Sequence, residues 1–307
     1  TFTEYDNNAT YPMYATILAN VVNIFFNYVL IFGNLGFPKM GIVGAAIGTL
    51  ISRIIMVVFI WYLLKSKKKF HDYVTGFNFR TIEKRVVQKI INLGLPSALQ
   101  MFFEVGIFTS AVWLSGVLGK NHQAANQIAL NLSSMTFMVG MGLGVAAMIR
   151  VGNQKGLRDF KELRRLAYSI FFLTLLLEII FATLFFAFND WLPTIYLDVS
   201  DTANQLDNFE VISIAAQLLL VAAVFQISDG LQVVILGALR GLQDVKVPTI
   251  LTFVAYWLIG FPTSYYLCLY TELKSTGIWI GLLAGLTTAA VLLYIRFNSQ
   301  TKKLIAS

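Results

Sequence analysis

Apolar runs of about 20 residues recur along the whole chain, separated by short polar connections. A helix of that length crosses a hydrocarbon core about 30 Å thick. The pattern predicts eight helical spans, at about 12–33, 41–64, 91–118, 123–149, 166–188, 208–236, 247–270 and 276–296. Polar residues inside the spans are not scattered. Ser97, Gln100 and Glu104 share one face of the third span. Gln123, Gln127, Asn131 and Ser134 follow at steps of four, four and three in the fourth. In the sixth, Asp229 lies between Gln226 at i−3 and Gln232 at i+3. Three such stripes can converge on one cavity.

Composition agrees with a polytopic, all-α membrane protein. The chain is 57% hydrophobic and 13% charged, against about 45–50% and about 25% for a soluble domain, which could not hide so much apolar surface. A single cysteine, Cys268, excludes an internal disulfide and a thiolate ligand set. The net charge of +7 is no signal for nucleic acid, because the basic residues gather in the connections between spans. The 65–90 and 150–165 connections are rich in Lys and Arg, whereas 189–207 carries four Asp and no base. The positive-inside rule therefore places 65–90, 150–165, 237–246 and the C-terminal tail in the cytoplasm, with both ends of the chain on that side. The lead TFTEYDNNATYP is acidic and lacks an initiating Met, as expected of a cut rather than a natural start.

A repeat gives the domain plan. Pro12 precedes Gly41 by the same 29 residues that separate Pro248 from Gly277. Each of these glycines opens a glycine-spaced helix, GIVGAAIGT or GIWIGLLAG. The two copies run in the same direction, which is a parallel repeat of the kind found in transporters. The second copy has four spans ahead of its pair and the first has none. The expected plan is thus residues 1–64 as the last two helices of a first six-helix lobe, 65–90 as a basic linker, and 91–307 as a complete second lobe. Small residues at such spacings also serve as general packing devices in membrane helices.

Four charged residues fall within spans: Arg53, Glu104, Glu178 and Asp229. Such residues are costly in hydrocarbon and usually face a bundle interior or a wet path. The stripes around Glu104 and Asp229 suit a Na⁺ site or a pair of protonatable carboxyls. The alternative is a protonated carboxyl that only hydrogen-bonds a neighbouring helix. Glu178, in LLLEIIF, has no polar stripe and reads as structural, and Arg53 takes no role. His71 and His122 lie in connections or at span ends, so a buried histidine relay has no candidate. No hydrolase, metalloprotease or phosphate-loop motif is present, which argues against an enzyme. Phe102, Phe103, Phe108, Trp113, Tyr256 and Trp257 either line a path for flat organic cations or pack on lipid and neighbouring helices.

Several segments resemble the multidrug and toxic compound extrusion (MATE) transporters, NorM-like branch. LGALRGLQDVKVPTI (236–250) is similar to the loop after that family's tenth helix. NLGLPSALQMFFE (92–104), AANQIALNLSSMTFMVGMGLGVAAMIRVGNQKG (124–156) and YWLIGFPTSYYL (256–267) agree in order, and 20–49 is similar to helices five and six. The resemblance covers nearly the whole chain and implies helices five to twelve of a twelve-helix protein. It implies a drug/cation antiporter of a bacterial-type inner membrane, working by alternating access and without a cofactor. The coupling ion would be Na⁺ or H⁺, and the partners organic cations and the bilayer. Glu104 and Asp229 match the family's cation-coupling carboxylates, with Gln100, Gln127, Asn131 and Gln226 as cavity polar groups. Asn23 and Thr49 are the corresponding polar positions in the first lobe. The family often has a tyrosine one turn before the aspartate, where this chain has Phe225. A monomer is expected. The alternatives are a lipid-linked saccharide flippase of related plan, which calls for a more cationic cavity, and a non-transporting membrane scaffold.

Overall fold

A computed structural model describes residues 10–66, 83–197 and 205–306 of the chain. The polar lead, most of the basic linker with His71, and part of the acidic connection lie outside the described residues. Among those described, eight helices are long and apolar enough to cross a membrane. They are α1 (Thr10–Phe32), α2 (Ile42–Ser66), α3 (Lys84–Leu118), α4 (Lys120–Leu157), α5 (Phe160–Ala187), α6 (Gln205–Gly241), α7 (Lys246–Leu269) and α8 (Lys274–Ala306).

The helices outrun the apolar windows that predict them. α3 starts at Lys84 rather than 91, α4 ends at Leu157 rather than 149, and α8 ends at Ala306 rather than 296. Hydropathy marks only the segment that suits hydrocarbon. Lys, Arg and Gln are good helix formers and carry the ladder on past it. For the same reason the expected 237–246 connection is largely helical. Gly237–Gly241 ends α6, and only 242–245 turns.

The chain divides into two compact units, Thr1–Lys84 and Arg85–Ser307. In the first, α1 and α2 form a hairpin sealed by glycines. A Cβ at Gly44 would stand 2.6 Å from the Leu30 carbonyl oxygen, and Gly48 packs on Asn27. The second unit contains a hairpin of the same kind, in which Gly277 of α8 meets the Leu267 backbone of α7. Both hairpins thus use glycine for close approach near the start of the second helix, at Gly44 and Gly48 in the first and at Gly277 in the second, while Gly41 at the head of the first repeat meets nothing within 4 Å and takes a left-handed turn at φ +55°.

α6 is the axis of the second unit, packing along α4, α5 and α8. Hydrocarbon offers no hydrophobic drive for helix association, so close van der Waals contact has to supply it. Gly237 and Gly144 provide this between α6 and α4: a Cβ at Gly237 would fall on the Gly144 carbonyl oxygen. α3 is held differently, through large side chains. The Phe103 ring centroid lies 5.0 Å from that of Phe253, Phe108 lies 6.1 Å from Phe225, and Gly106 admits the Trp257 ring. α3 therefore stands off from α4 and α6, and space opens between the three.

Two further devices shape this end of the bundle. Residues Val254–Gly260 of α7 form a π-helical stretch just before Pro262. Proline has no N–H to give and its ring crowds the carbonyl four residues back, and the wider turn relieves both. The α6–α7 turn is tied on two sides. Lys155 Nζ donates to the Leu242 carbonyl at 2.5 Å, and Arg296 Nε donates to Asp244 Oδ2 at 2.7 Å. Gly237→Val is expected to lower the thermal-unfolding midpoint of the purified protein, at a cost of about 1–3 kcal/mol from overpacking. Gly142→Ala, where an added Cβ meets nothing within 4 Å, is expected to leave the midpoint unchanged.

Candidate functional site

α3, α4 and α6 enclose a cavity of about 580 Å³, within the usual range for a small-molecule site. Each helix contributes a distinct chemistry. α3 presents Met101, Glu104 and Phe108, and α4 presents Gln127, Asn131, Ser134, Phe137, Met141 and Met148. α6 presents Phe225, Asp229, Val233 and Arg240. Gln127, Asn131 and Ser134 keep to one face because their spacing follows the helical period. Asn131 Nδ2 donates to the Gln127 carbonyl at 3.0 Å, and Ser134 Oγ donates to that of Asn131 at 2.7 Å. The apolar part of the wall combines three phenylalanines and three methionines with valine and leucine side chains. Aromatic faces attract cations, and unbranched thioethers repack around differently shaped guests.

Asp229 is 4% exposed, and its Oδ1 has no hydrogen-bond partner. The same holds for Glu104 Oε1. An unsatisfied carboxylate oxygen in a dry wall is costly, and a cation or proton there would remove the cost. Sequence reasoning brought both carboxyls to one cavity, together with Gln127 and Asn131. Gln100 and Gln226 are buried and are not on its wall. Gln100 acts one layer behind. Its Nε2 donates to the Val245 carbonyl at 3.2 Å and to Thr249 Oγ1 at 3.1 Å, while its Oε1 accepts from Arg240 Nη2 at 3.0 Å. Gln226 leaves both polar side-chain atoms without partners. In the first unit, Asn23 Nδ2 donates to Thr49 Oγ1 at 3.3 Å, and Asn27 Nδ2 to Asn23 Oδ1 at 3.0 Å.

Several functional-site residues escaped the sequence reading. Arg240 lines the cavity, because α6 runs to Gly241 where hydropathy ended the span. Its guanidinium is aimed at Gln100 on α3, and the carboxyl that acts on it electrostatically is Glu104 of the same helix. Tyr256 was read as either lining a path or packing on lipid and neighbouring helices. It is 1% exposed with an unpartnered hydroxyl, and its electrostatic neighbours include Glu104, Asp229 and Arg240. Of the aromatics singled out, only Phe108 is on the cavity wall; Phe102 and Trp113 are exposed on the outer surface. Phe225 fills its position as an apolar wedge between Phe108 and Trp279, 5.1 Å from the latter. Asn126, in the same AANQIAL segment as Gln127, turns the other way and accepts from Trp279 Nε1 at 3.0 Å. His122 Nδ1 lies 2.9 Å from Ser275 Oγ.

Comparison with known proteins gives a consistent set. The MatE family model matches residues 96–266, more than half of the chain and the part that builds the cavity. A probable multidrug resistance protein NorM of Agrobacterium fabrum is 34% identical over 95% of this chain and 62% of its own length. The multidrug resistance protein NorM of Burkholderia vietnamiensis is 36% identical, over 93% and 60% respectively. The multidrug resistance protein MdtK of Yersinia pseudotuberculosis is 35% identical, over 92% and 61%. The chain thus spans a little over three-fifths of the length of these relatives. Among solved structures, the eukaryotic MATE transporter AtDTX14 superposes with a TM-score of 0.83 at 22% identity, covering 99% of this chain and 66% of that one. An outward-facing multidrug resistance MATE transporter gives 0.82 at 21%, over 98% and 64%.

The sole cysteine, Cys268, is buried, so introduced thiols report on a quiet background. Ser134→Cys is expected to react with a small water-soluble thiol reagent. Gln226→Cys, behind the wall, is expected to remain unlabelled under the same conditions.

Proposed function

Because the chain belongs to the MatE family, we propose that it carries the carboxylate-bearing part of a transporter that exports apolar organic cations in exchange for Na⁺ or H⁺. The single observation that supports this is the cavity itself. Two carboxyls with unsatisfied oxygens share one wall with phenylalanine and methionine side chains. The wall offers dispersion and cation–π contact to a flat organic cation, and the carboxyls offer charge. The same carboxyls can instead be neutralised by a metal cation or by protons. A guest and a coupling ion that compete for one pair of carboxyls are exchanged rather than carried together.

Exchange becomes transport only if the two conformations of the protein bind ion and guest with different affinity. Glu104 on α3 and Asp229 on α6 suit this requirement. α3 is held to the unit by side-chain contacts, while α6 is locked to α4 at the backbone. Neutralising the pair removes a repulsion between two helices that differ in how tightly they are bound. Gln100 and Arg240 link the same two helices, and the guanidinium sets how much negative charge the cavity presents. One arginine against two carboxyls favours a cationic guest over a pyrophosphate-linked lipid, which is why the antiporter reading is preferred to the flippase. The basic end of the bundle, around Lys155 and Arg296, is read as cytoplasmic.

The experiment is dye efflux from vesicles holding the full-length transporter under separately imposed Na⁺ and H⁺ gradients. One or both gradients are expected to drive efflux of a cationic dye by the wild type, and Asp229→Asn is expected to abolish the response. Efflux by Asp229→Asn at the wild-type rate would overturn the reading.

A further inference from the structure

Glu178 is the carboxyl for which the sequence offers no polar company, yet the structure builds a chamber around it. It projects from α5, is 1% exposed, and its Oε2 has no hydrogen-bond partner. The nearest polar group on its own helix face, Thr174, donates its hydroxyl to the Ile170 carbonyl at 2.8 Å. Two glycines make the room. A Cβ on Gly230 of α6 would lie 2.7 Å from the Glu178 carboxyl carbon and 2.8 Å from its Cγ. One on Gly140 of α4 would lie 3.4 Å from Glu178 Oε1 and 3.3 Å from the Gly230 Cα. An alanine at either position would have filled the space with hydrocarbon. The chain instead leaves a carboxyl-shaped recess at the junction of three helices, one residue along α6 from Asp229.

Glu178 does not line the cavity, and α6 separates it from the guest. It is nonetheless within electrostatic reach of Asp229, which in turn feels Glu104. The three carboxyls therefore form a series, Glu104 on α3, Asp229 on α6 and Glu178 on α5. An isolated carboxylate in such a recess, with no cation and no donor, is costly, so the recess favours the protonated acid. We propose that Glu178 is a proton-storing site occluded behind α6, whose proton occupancy is set by the charge on Asp229. While Asp229 is ionised and bare, a second negative charge beside it is unfavourable and Glu178 keeps its proton. When a cation neutralises Asp229, that repulsion is gone and Glu178 can release its proton to water. The charged and titratable groups around the series are Asp229 and Arg240 on α6, Glu104 on α3 and Tyr256 on α7. Glu178 would in this way give up one proton for a cation taken up at Asp229, without touching the guest. The proposal rests on the antiport reading for its transport consequence, but not for the existence of the site.

Infrared difference spectroscopy of the full-length protein in lipid, between acidic and alkaline buffer, tests it. Glu178→Gln keeps the side-chain volume and removes the acid. It is expected to delete one protonated-carboxyl band that the wild type retains into alkaline buffer. In Asp229→Asn, less of that band is expected to survive at the same alkaline pH, as identified by its loss in the Asp229→Asn, Glu178→Gln double variant. Gly230→Ala, which drives a methyl group into the carboxyl, is expected to shift the band frequency. A spectrum unchanged by Glu178→Gln, or a Glu178 band indifferent to Asp229→Asn, would overturn the proposal. The same samples in vesicles keep the two readings apart. Absence of ion-driven dye efflux in the wild type would sink the antiport reading, while the infrared bands still decide the proton site. A smaller proton-driven component in Glu178→Gln, with dye binding retained, is the expected transport result.

Discussion

The contact between α4 and α6 constrains everything else in the second unit. Gly144 and Gly237 let the two backbones touch, so there is no room between these helices for a guest. The space has to open on their flank, against α3, which meets α6 through the Phe108–Phe225 contact and the Gln100–Arg240 hydrogen bonds and is otherwise packed on α7 through Phe103 and Gly106. The same seam decides where the buried carboxyls lie. Asp229 projects from α6 on the cavity side, while Gly140 and Gly230 leave a recess on the other side that Glu178 fills. One backbone contact thus separates a carboxyl pair on the cavity wall from a single carboxyl behind α6.

That division gives the cavity its chemistry. A carboxylate in hydrocarbon is unfavourable by itself, and among the described residues the cavity wall carries one fixed cation, Arg240, turned towards Gln100. The remaining negative charge must be met by something mobile. Aromatic and methionine side chains around the carboxyls widen the choice of mobile partner from a small ion to an apolar organic cation. Competition between those partners is the simplest physical basis for exchange, and it requires no shared contacts beyond the carboxyls. The Asp244–Arg296 ion pair and the Lys155 contact to Leu242 hold the α6–α7 turn in place, and with it the position of Arg240.

Much of this was legible in the chain. The eight spans follow from apolar run length, and the faces that meet at the cavity follow from the polar stripes of Glu104, Gln127–Asn131 and Asp229. Family motifs in 92–104, 124–156 and 236–250 pointed to the same helices. What was hidden has physical causes. Hydropathy ends a span where charge begins, so Arg240 was read as a loop residue although the helix continues. A stripe says which face a residue occupies but not how far the neighbouring helix stands off, so Gln226 was placed on the cavity with Asp229 and lies behind its wall instead. Glu178 carries no signal on its own helix, because its surroundings are two glycines on other helices. Phe225 was noted only as a departure from a family pattern, and its packing between Phe108 and Trp279 explains how the chain accommodates it.

The central claim is that guest and coupling ion compete for one pair of carboxyls. The most direct measurement is equilibrium binding of radiolabelled tetraphenylphosphonium to the purified full-length protein while Na⁺ and pH are varied independently. The account predicts that Na⁺, protons or both displace the organic cation competitively, raising its apparent Kd without changing the number of sites. Binding of the organic cation that is indifferent to both Na⁺ and pH would contradict it.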